Sequence, residues 1–508
     1  MRILVAGAGI SGLGAALALT GEGRTVEIIE RDSPPPNTDP NGIFDTWKRL
    51  GVAHLRHSHG FMARLTNLIR TRYPQLQQRL FERGVREFKF EDMLWPGTRK
   101  LYRAEPGDAE LSVLTSRRST IESIIRSYAE EHSGSIFHSG YSVQGIVCER
   151  NAQGIPVAKA YKVKTPDGLE ETWEGDILID ATGRGTPFPR WLKDYGMQLE
   201  TEVMPVPNAY FTRHYRFHPG QSEPERESVQ QSGGEFGFIR GGIYPGDGGN
   251  FSITLMVPEV EEEMRLTLRD PDVFEAMARK LPDMARWIDP ARTYPVTKVL
   301  GMRDMHSVWH HWLKNNRPVI LNFFAIGDAT ASTNPLFGRG CTIGFIHAHL
   351  LADVLLETAD PVTRTQLFAA RAHQEIRPHF DAMVRQDQAI AKRAANLRDP
   401  SYKPTFRDRL QTSFGEDAVG PASRRSMRVL RAMSRSLHML DKPTAWLRRP
   451  DILAYVLATW ATPRRFKKRF YPQRDPLQRS EFLAIAREKL AADKDREPEN
   501  STAVRTGT

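Results

Sequence analysis

Apolar residues run almost unbroken over Arg2–Ala6 (RILVA) and again over Thr25–Glu30 (TVEIIE), and glycines bound both runs. Between them Leu13–Thr20 (LGAALALT) is small, apolar and helix-forming. Short continuous apolar runs fit parallel strands covered on both faces, so this opening predicts a right-handed βαβ unit. Asp176–Asp180 (DILID) and Pro318–Ile326 (PVILNFFAI) predict further buried strands. Helical spacing marks Phe61–Arg83, Thr120–Glu131 and the stretch from Asp328 to Leu355, whereas Ser33–Pro40 (SPPPNTDP) reads as a loop. From Met204 to Pro258 the chain is rich in β-formers and glycine, with Phe251–Val257 the clearest strand. Beyond Ala359 the pattern is helical, broken near Pro400, Pro404 and Pro421, and after Ala491 it is polar and predicts disorder.

Gly7-Ala8-Gly9-Ile10-Ser11-Gly12 interrupts the first strand and opens the first helix. Glycines at these spacings allow a tight turn, backbone approach to a pyrophosphate, and close helix–strand packing, with the amides of Ile10 and Ser11 at a positive helix end. Glu30, followed by Arg31, ends the second strand, where a carboxylate accepts hydrogen bonds from ribose hydroxyls. This unit alone serves FAD and NAD equally.

Two later segments separate them. Leu178-Ile179-Asp180-Ala181-Thr182-Gly183 resembles the second cofactor contact of flavoproteins with two dinucleotide-binding domains. Ala325-Ile326-Gly327-Asp328-Ala329, with Pro335, Gly338 and Gly340 downstream, resembles their flavin-end motif. With Arg56-His57-Ser58-His59, Ser116–Glu122 (SRRSTIE) and Asp180–Arg184 (DATGR), the chain from Met1 to about Ala394 resembles the flavoprotein monooxygenase superfamily. Its motifs look most like the branch of squalene-epoxidase-like and polyether-pathway epoxidases.

The resemblance implies an α/β fold. A discontinuous, glutathione-reductase-like Rossmann-type FAD-binding domain would cover 1–188 and 301–358. A β-rich substrate domain would be inserted over 189–300, then a C-terminal helical region over 359–490 and a disordered tail over 491–508. It implies FAD, with Asp328 on the ribityl hydroxyls, Gly183, Gly338 and Gly340 offering backbone to the cofactor, and Arg118 on its ribose or pyrophosphate. His57 and His59 would lie near the flavin as weak catalytic candidates, and no metal site is expected. The implied reaction moves one oxygen atom from O2, through a flavin hydroperoxide, into a fairly large apolar small-molecule substrate, by epoxidation or hydroxylation. NADPH or NADH would supply electrons, directly or through a flavin reductase. Thr182-Gly183 stands where aromatic hydroxylases carry Asp-Gly, and Thr330 where they often carry His, which favours the epoxidase-like branch or a separate reductase. A reductase of isolated double bonds, resembling geranylgeranyl reductases, is the main rival, and a non-catalytic flavin sensor a second. Halogenation ranks lower, because the Trp-x-Trp-x-Ile-Pro stretch of flavin halogenases is missing.

Charge adds one region. Of the net charge of +10, Tyr402–Phe470 carries 16 Lys and Arg against 5 Asp and Glu, leaving the rest near neutral and unlike a nucleic-acid-binding enzyme. Within it, Asp451–Trp460 (DILAYVLATW) and Arg464–Phe470 (RRFKKRF) read either as a helix packed on the FAD domain, the favoured reading, or as a peripheral contact with an anionic membrane surface. Two cysteines, no signal peptide and no apolar run of about 18 residues predict a cytoplasmic protein, at most peripheral to the inner membrane face.

Overall fold

The computed structural model describes residues 1–52, 54–225, 233–471 and 477–496. The predicted βαβ unit is present as strand Arg2–Ala6, helix Ile10–Leu19 and strand Thr25–Glu30. These strands lie inside a five-stranded parallel sheet, ordered Phe323–Ala325, Ile177–Asp180, Arg2–Ala6, Thr25–Glu30, Ile136–Ser139. Alternation assigns its two faces. Ile3, Val5, Ile28, Ile177, Ile179 and Phe324 pack against the helices Ile10–Leu19, Arg118–His132 and Gly340–Glu357. Leu4, Ala6, Ile29, Leu178, Phe323 and Ala325 pack against an antiparallel meander of Ser142–Arg150, Pro156–Lys164 and Glu170–Glu174. Coverage on both sides is why these strands read as continuous apolar runs.

The run Pro318–Ile326 is extended only in part. Arg317–Pro318 pairs with Leu313–Lys314, and Asn322 at φ 60° turns the chain before the sheet strand begins at Phe323. Asparagine tolerates that left-handed conformation, so an apolar stretch longer than the strand is cut where the backbone turns. Phe61–Arg83 likewise splits into helices Ala63–Arg72 and Pro74–Glu82, because Pro74 has no amide hydrogen to continue the first and starts the second instead.

Between the parallel strands the chain builds a large antiparallel sheet. Its central strands are Asn208–Phe217 and Asn250–Pro258, flanked by Arg240–Pro245 on one side and by Thr293–Pro295 and Leu300–Met302 on the other. Ala209, Phe211, Tyr215, Phe251, Ile253, Leu255 and Val257 form one face and are buried under the helices Glu262–Thr267 and Pro271–Lys280. The other face carries Tyr210, Thr212, His214, Ser252 and Thr254, which are buried as well.

The C-terminal region starts with the 38-residue helix Pro361–Arg398. Among the described residues, helix Pro450–Ala461 packs on neighbouring C-terminal helices rather than on the parallel-sheet domain. Its Ile452 and Val456 pack with Ala418, Ala422, Val429 and Ala432 in a small helical cluster of their own. Lys467, within the basic run, is buried and donates to the carbonyls of Asp417 and Thr459, so this run is not wholly solvated. Helix Arg479–Arg496 passes through the start of the segment expected to be disordered, and 497–508 lie outside the described residues. That helix returns to the large sheet, where Phe482, Leu483 and Ala486 join its core. Gly340–Glu357 is, by length and composition, apolar enough to cross a membrane, against the expectation that no helix would be; it is 67% buried inside the molecule as a core helix.

Candidate cofactor and active site

Three loops at the carboxyl ends of the parallel strands meet at one place. Gly7, at φ 103°, turns the chain out of the first strand, in a conformation that strains any side chain. A Cβ on Gly12 would stand 1.9 Å from the Gly7 carbonyl oxygen, so the helix can start this close to the strand only with glycine. Ile10 is buried beneath that turn. Ser11 abuts the flavin-end loop: a Cβ on Gly327 would come within 2.1 Å of its Oγ. Asp180, at the end of its strand, accepts from the Thr182 amide at 2.9 Å, the Thr182 hydroxyl at 2.6 Å and the Thr186 hydroxyl at 2.5 Å, which shapes the Ala181–Gly183 turn. Burial still pushes its carboxyl up to about 6.

Where these loops face one another the backbone is open. A Cβ added at Gly9 or Gly183 would meet no atom within 4 Å. Bare backbone at a helix N-terminus beside open space is what a pyrophosphate requires, so this part of the site fits a dinucleotide.

Charged side chains close the rim. Glu30 accepts from the Ala8 amide at 2.7 Å and the Asp32 amide at 2.9 Å. Its partner is a residue the sequence did not disclose: Arg49, buried, lies 2.9 Å from Glu30, 3.3 Å from Asp32 and 3.0 Å from Glu122. No periodicity or glycine pattern marks Arg49, which stands in a loop, and only the fold brings it to the second strand. Arg118 is buried, donating to Glu122 Oε2 at 2.6 Å and to Cys341 Sγ at 3.2 Å. The Arg31 side chain is 55% exposed and lies 3.9 Å from Asp32.

At the other end, Asp328 lies 3.7 Å from Arg184, and a Cβ on Gly340 would sit 3.2 Å from its Oδ1. Burial pushes the Asp328 carboxyl up, opposed by Arg184 and Arg118. Arg184 also donates to the carbonyls of Thr333 and His306, tying this loop to the antiparallel strands. Pro335 and Gly338 are exposed, and Gly338 approaches the Gly60 carbonyl, so the strand Ser58–Phe61 borders the flavin-end loop. On it, His59 donates through Nδ1 to the His57 carbonyl at 2.8 Å and stacks on His54 at 5.4 Å. Burial, reinforced by Arg118, pushes His59 down to about 3, and burial alone pushes His57 down to about 4. Both rings are therefore neutral near pH 7, which rules out a role as standing cations.

Over the flavin-end loop, Tyr210, Val206, Met256 and Met305 form a buried apolar cluster, with Met302 and Leu336 packed against it. The Tyr210 hydroxyl donates to Asn334 Oδ1, and Asn334 Nδ2 donates to Asp387 at 2.6 Å. The sheet, the flavin-end loop and the long C-terminal helix are thus joined through one side chain.

A parallel sheet with a glycine turn after its first strand, a βββ meander on one face and an inserted antiparallel sheet defines the Rossmann-type FAD-binding fold. The solved structures this chain resembles share it. A flavoprotein/dehydrogenase from Cytophaga hutchinsonii superposes with a TM-score of 0.59 at 13% identity, covering 90% of this chain and 99% of that one. The myxobacterial chondrochloren halogenase CndH gives 0.54 at 15%, covering 87% and 97%. PqsL, a probable FAD-dependent monooxygenase from Pseudomonas aeruginosa, gives 0.52 at 16%, covering 78% and 98%. Among curated proteins, Protein Rv3254 of Mycobacterium tuberculosis is 25% identical over 374 residues, 68% of this chain and 71% of that protein. No family model matches the chain.

Proposed function

We propose that this protein is an FAD-dependent oxidoreductase of the monooxygenase type, acting on a fairly large, apolar small molecule. The observation that carries the reading is that the Gly7–Gly12, Asp180–Gly183 and Gly327–Gly340 loops meet at the carboxyl ends of the parallel strands, with open space at Gly9 and Gly183 and an apolar cluster against Leu336 of the third loop. FAD, when bound, would supply the redox chemistry with O2, and NADPH or NADH would reduce it directly or through a partner reductase. The protein's share is to hold and to exclude. Helix Ile10–Leu19 and the Gly9 backbone would take the pyrophosphate, Glu30 the adenosine ribose, and Asp328 the ribityl hydroxyls. Tyr210, Met256, Met302 and Met305 would cover the reacting end; methionines adapt to an irregular apolar molecule and keep water out.

Within that class we favour epoxidation over hydroxylation of a phenol. The latter needs a base to deprotonate its substrate, and the histidines beside the flavin-end loop have their basicity lowered by burial. Reduction of an isolated double bond is the rival. Halide chemistry ranks last, because the tryptophan motif of flavin halogenases is missing.

The test starts from the purified protein. Unfolding should release one FAD per chain, and Asp328→Ala should release far less. With reductant and O2, an alkene product should gain one oxygen atom. A gain of two hydrogens instead would transfer the assignment to the reductase, and a chain that neither carries nor takes up flavin would end it.

A further inference from the structure

The polar face of the large sheet holds an arrangement that FAD binding does not require. Thr212 faces Thr254, and His214 faces Ser252, across the central strand pair. Their hydroxyls meet Ser58 from the neighbouring strand. Ser252 Oγ to Ser58 Oγ is 2.7 Å, Ser58 to Thr254 is 2.8 Å, Thr254 to Thr212 is 2.9 Å, and Thr212 to His57 Nδ1 is 3.0 Å. Three buried hydroxyls and the half-buried hydroxyl of Ser58 thus run in single file to an imidazole. Each hydroxyl has one hydrogen to give, so the file is polarised as a whole: its hydrogens point towards His57 or away from it.

The far end decides which. Ser58, Ser252, Arg117 and His214 line a cavity of about 10 Å³, which His57 and His59 border as well. Two polar atoms of that lining are buried without a partner, Arg117 NH1 and His214 Nδ1. They are chemically opposite. Arg117 binds Asp247 through its other nitrogens, at 3.0 and 2.5 Å, and its NH1 can only donate. His214 places Nε2 2.8 Å from the Arg56 carbonyl, so Nε2 carries the hydrogen and Nδ1 can only accept. Burial pushes His214 down to about 4, which keeps it in that neutral form. An anion would meet the His214 lone pair, and Asp247 already neutralises Arg117. A water suits both atoms, and a cavity of roughly 10–15 Å³ holds one.

We propose that one buried water bridges Arg117 and His214 and polarises the Ser252–Ser58–Thr254–Thr212 file towards His57, holding His57 as an Nε2–H donor to a bound acceptor. The water turns a lone pair to Arg117 and gives one hydrogen to His214 and the other to the serine end. Each hydroxyl then donates to the next, and Thr212 donates to His57 Nδ1. Among the described residues His57 Nε2 makes no hydrogen bond, so its N–H is available to an oxygen or nitrogen acceptor. His59 has the opposite form, because its Nδ1 faces a carbonyl. Two neighbouring imidazoles thereby offer one donor and one acceptor. Thr212, Thr254 and Ser58 are positioning residues, acting through His57.

Histidine-selective 15N NMR of the purified protein tests this, with the His57 signals assigned by their loss in His57→Gln. Wild type should show His57 protonated on Nε2, with Nδ1 at the position of an acceptor nitrogen. Thr212→Val, equal in shape but without the hydroxyl, should abolish that preference, and Thr212→Ser should restore it. Thr254→Val cuts the file one step further back and serves should Thr212→Val fail to fold. An Nδ1–H form of His57 in wild type overturns the proposal, as does a preference unchanged when the file is cut, or a crystal structure with no density between Arg117 and His214. Protein free of flavin gives the same readout, so failure of the FAD reading and failure of this one are separable.

Discussion

Asp180 is buried with three hydrogen bonds and, among the described residues, no ion pair, and its carboxyl is pushed up to about 6. Its folded value lies above the ordinary carboxylate range, so ionising it costs stability: the loss begins as pH rises past about 4 and is complete above 6. A shift of about two pH units corresponds to roughly 3 kcal/mol. Asp180→Asn removes that ionisation. Urea unfolding should therefore show wild type losing up to about 3 kcal/mol relative to Asp180→Asn between pH 4 and pH 7.5. A constant difference would mean that the hydrogen bonds keep the carboxylate charged throughout. At this scale the sequence was legible wherever residue type and backbone position coincide. Gly7 makes the turn and Gly12 the close helix–strand approach that their spacing predicts. Arg49 and the hydroxyls of Thr212 and Thr254 were not legible, because their partners come from segments far apart in the chain.

The glycines of the first turn have separable tasks within their element. Gly12 is needed for packing, since a Cβ there collides with the Gly7 carbonyl 1.9 Å away. Gly9 starts the same helix, but a Cβ there meets nothing within 4 Å. Gly12→Ala should therefore yield little folded protein. Gly9→Ala should unfold at the wild-type temperature when flavin is absent, yet bind FAD at least tenfold more weakly, since its methyl fills the space a phosphate needs. Equal flavin affinity in Gly9→Ala, measured by fluorescence quenching, would place the pyrophosphate elsewhere. Element type was legible for four of the parallel strands, whose apolar runs need only burial on both sides; Ile136–Ser139, at the sheet's edge and half-exposed, left no such run. It failed at Asn322 and Pro74, where one residue's backbone preference ends an element that hydrophobicity alone would extend.

Over the whole molecule, helix Arg479–Arg496 completes the core of the large antiparallel sheet. Phe482 is fully buried and meets Phe238 edge-on at 5.3 Å, while Arg479 pairs with the buried Glu261 at 2.6 Å and Lys489 with Asp270 at 2.9 Å. Emptying a site packed like that of Phe482 costs about 3–5 kcal/mol. Phe482→Ala should lower stability by that amount in urea unfolding and raise amide exchange in Asn250–Pro258, although the two lie far apart in sequence. A loss below about 1 kcal/mol would show that the sheet's core closes without the C-terminal helix.

By itself the sequence determined four of the five parallel strands, the glycine turn and the order of the three loops, since each depends on burial or backbone freedom written into a few consecutive residues. The tertiary structure decided the rest. Asn208–Phe217 and Asn250–Pro258 are buried on both faces, so alternation could not tell which side meets helices and which meets the flavin-end loop. The place of helix Pro450–Ala461, the return of Arg479–Arg496, the company Arg49 keeps and the hydroxyl file ending at His57 all follow from contacts between distant segments. Such contacts are set by how whole surfaces fit together, and local pattern carries no record of them.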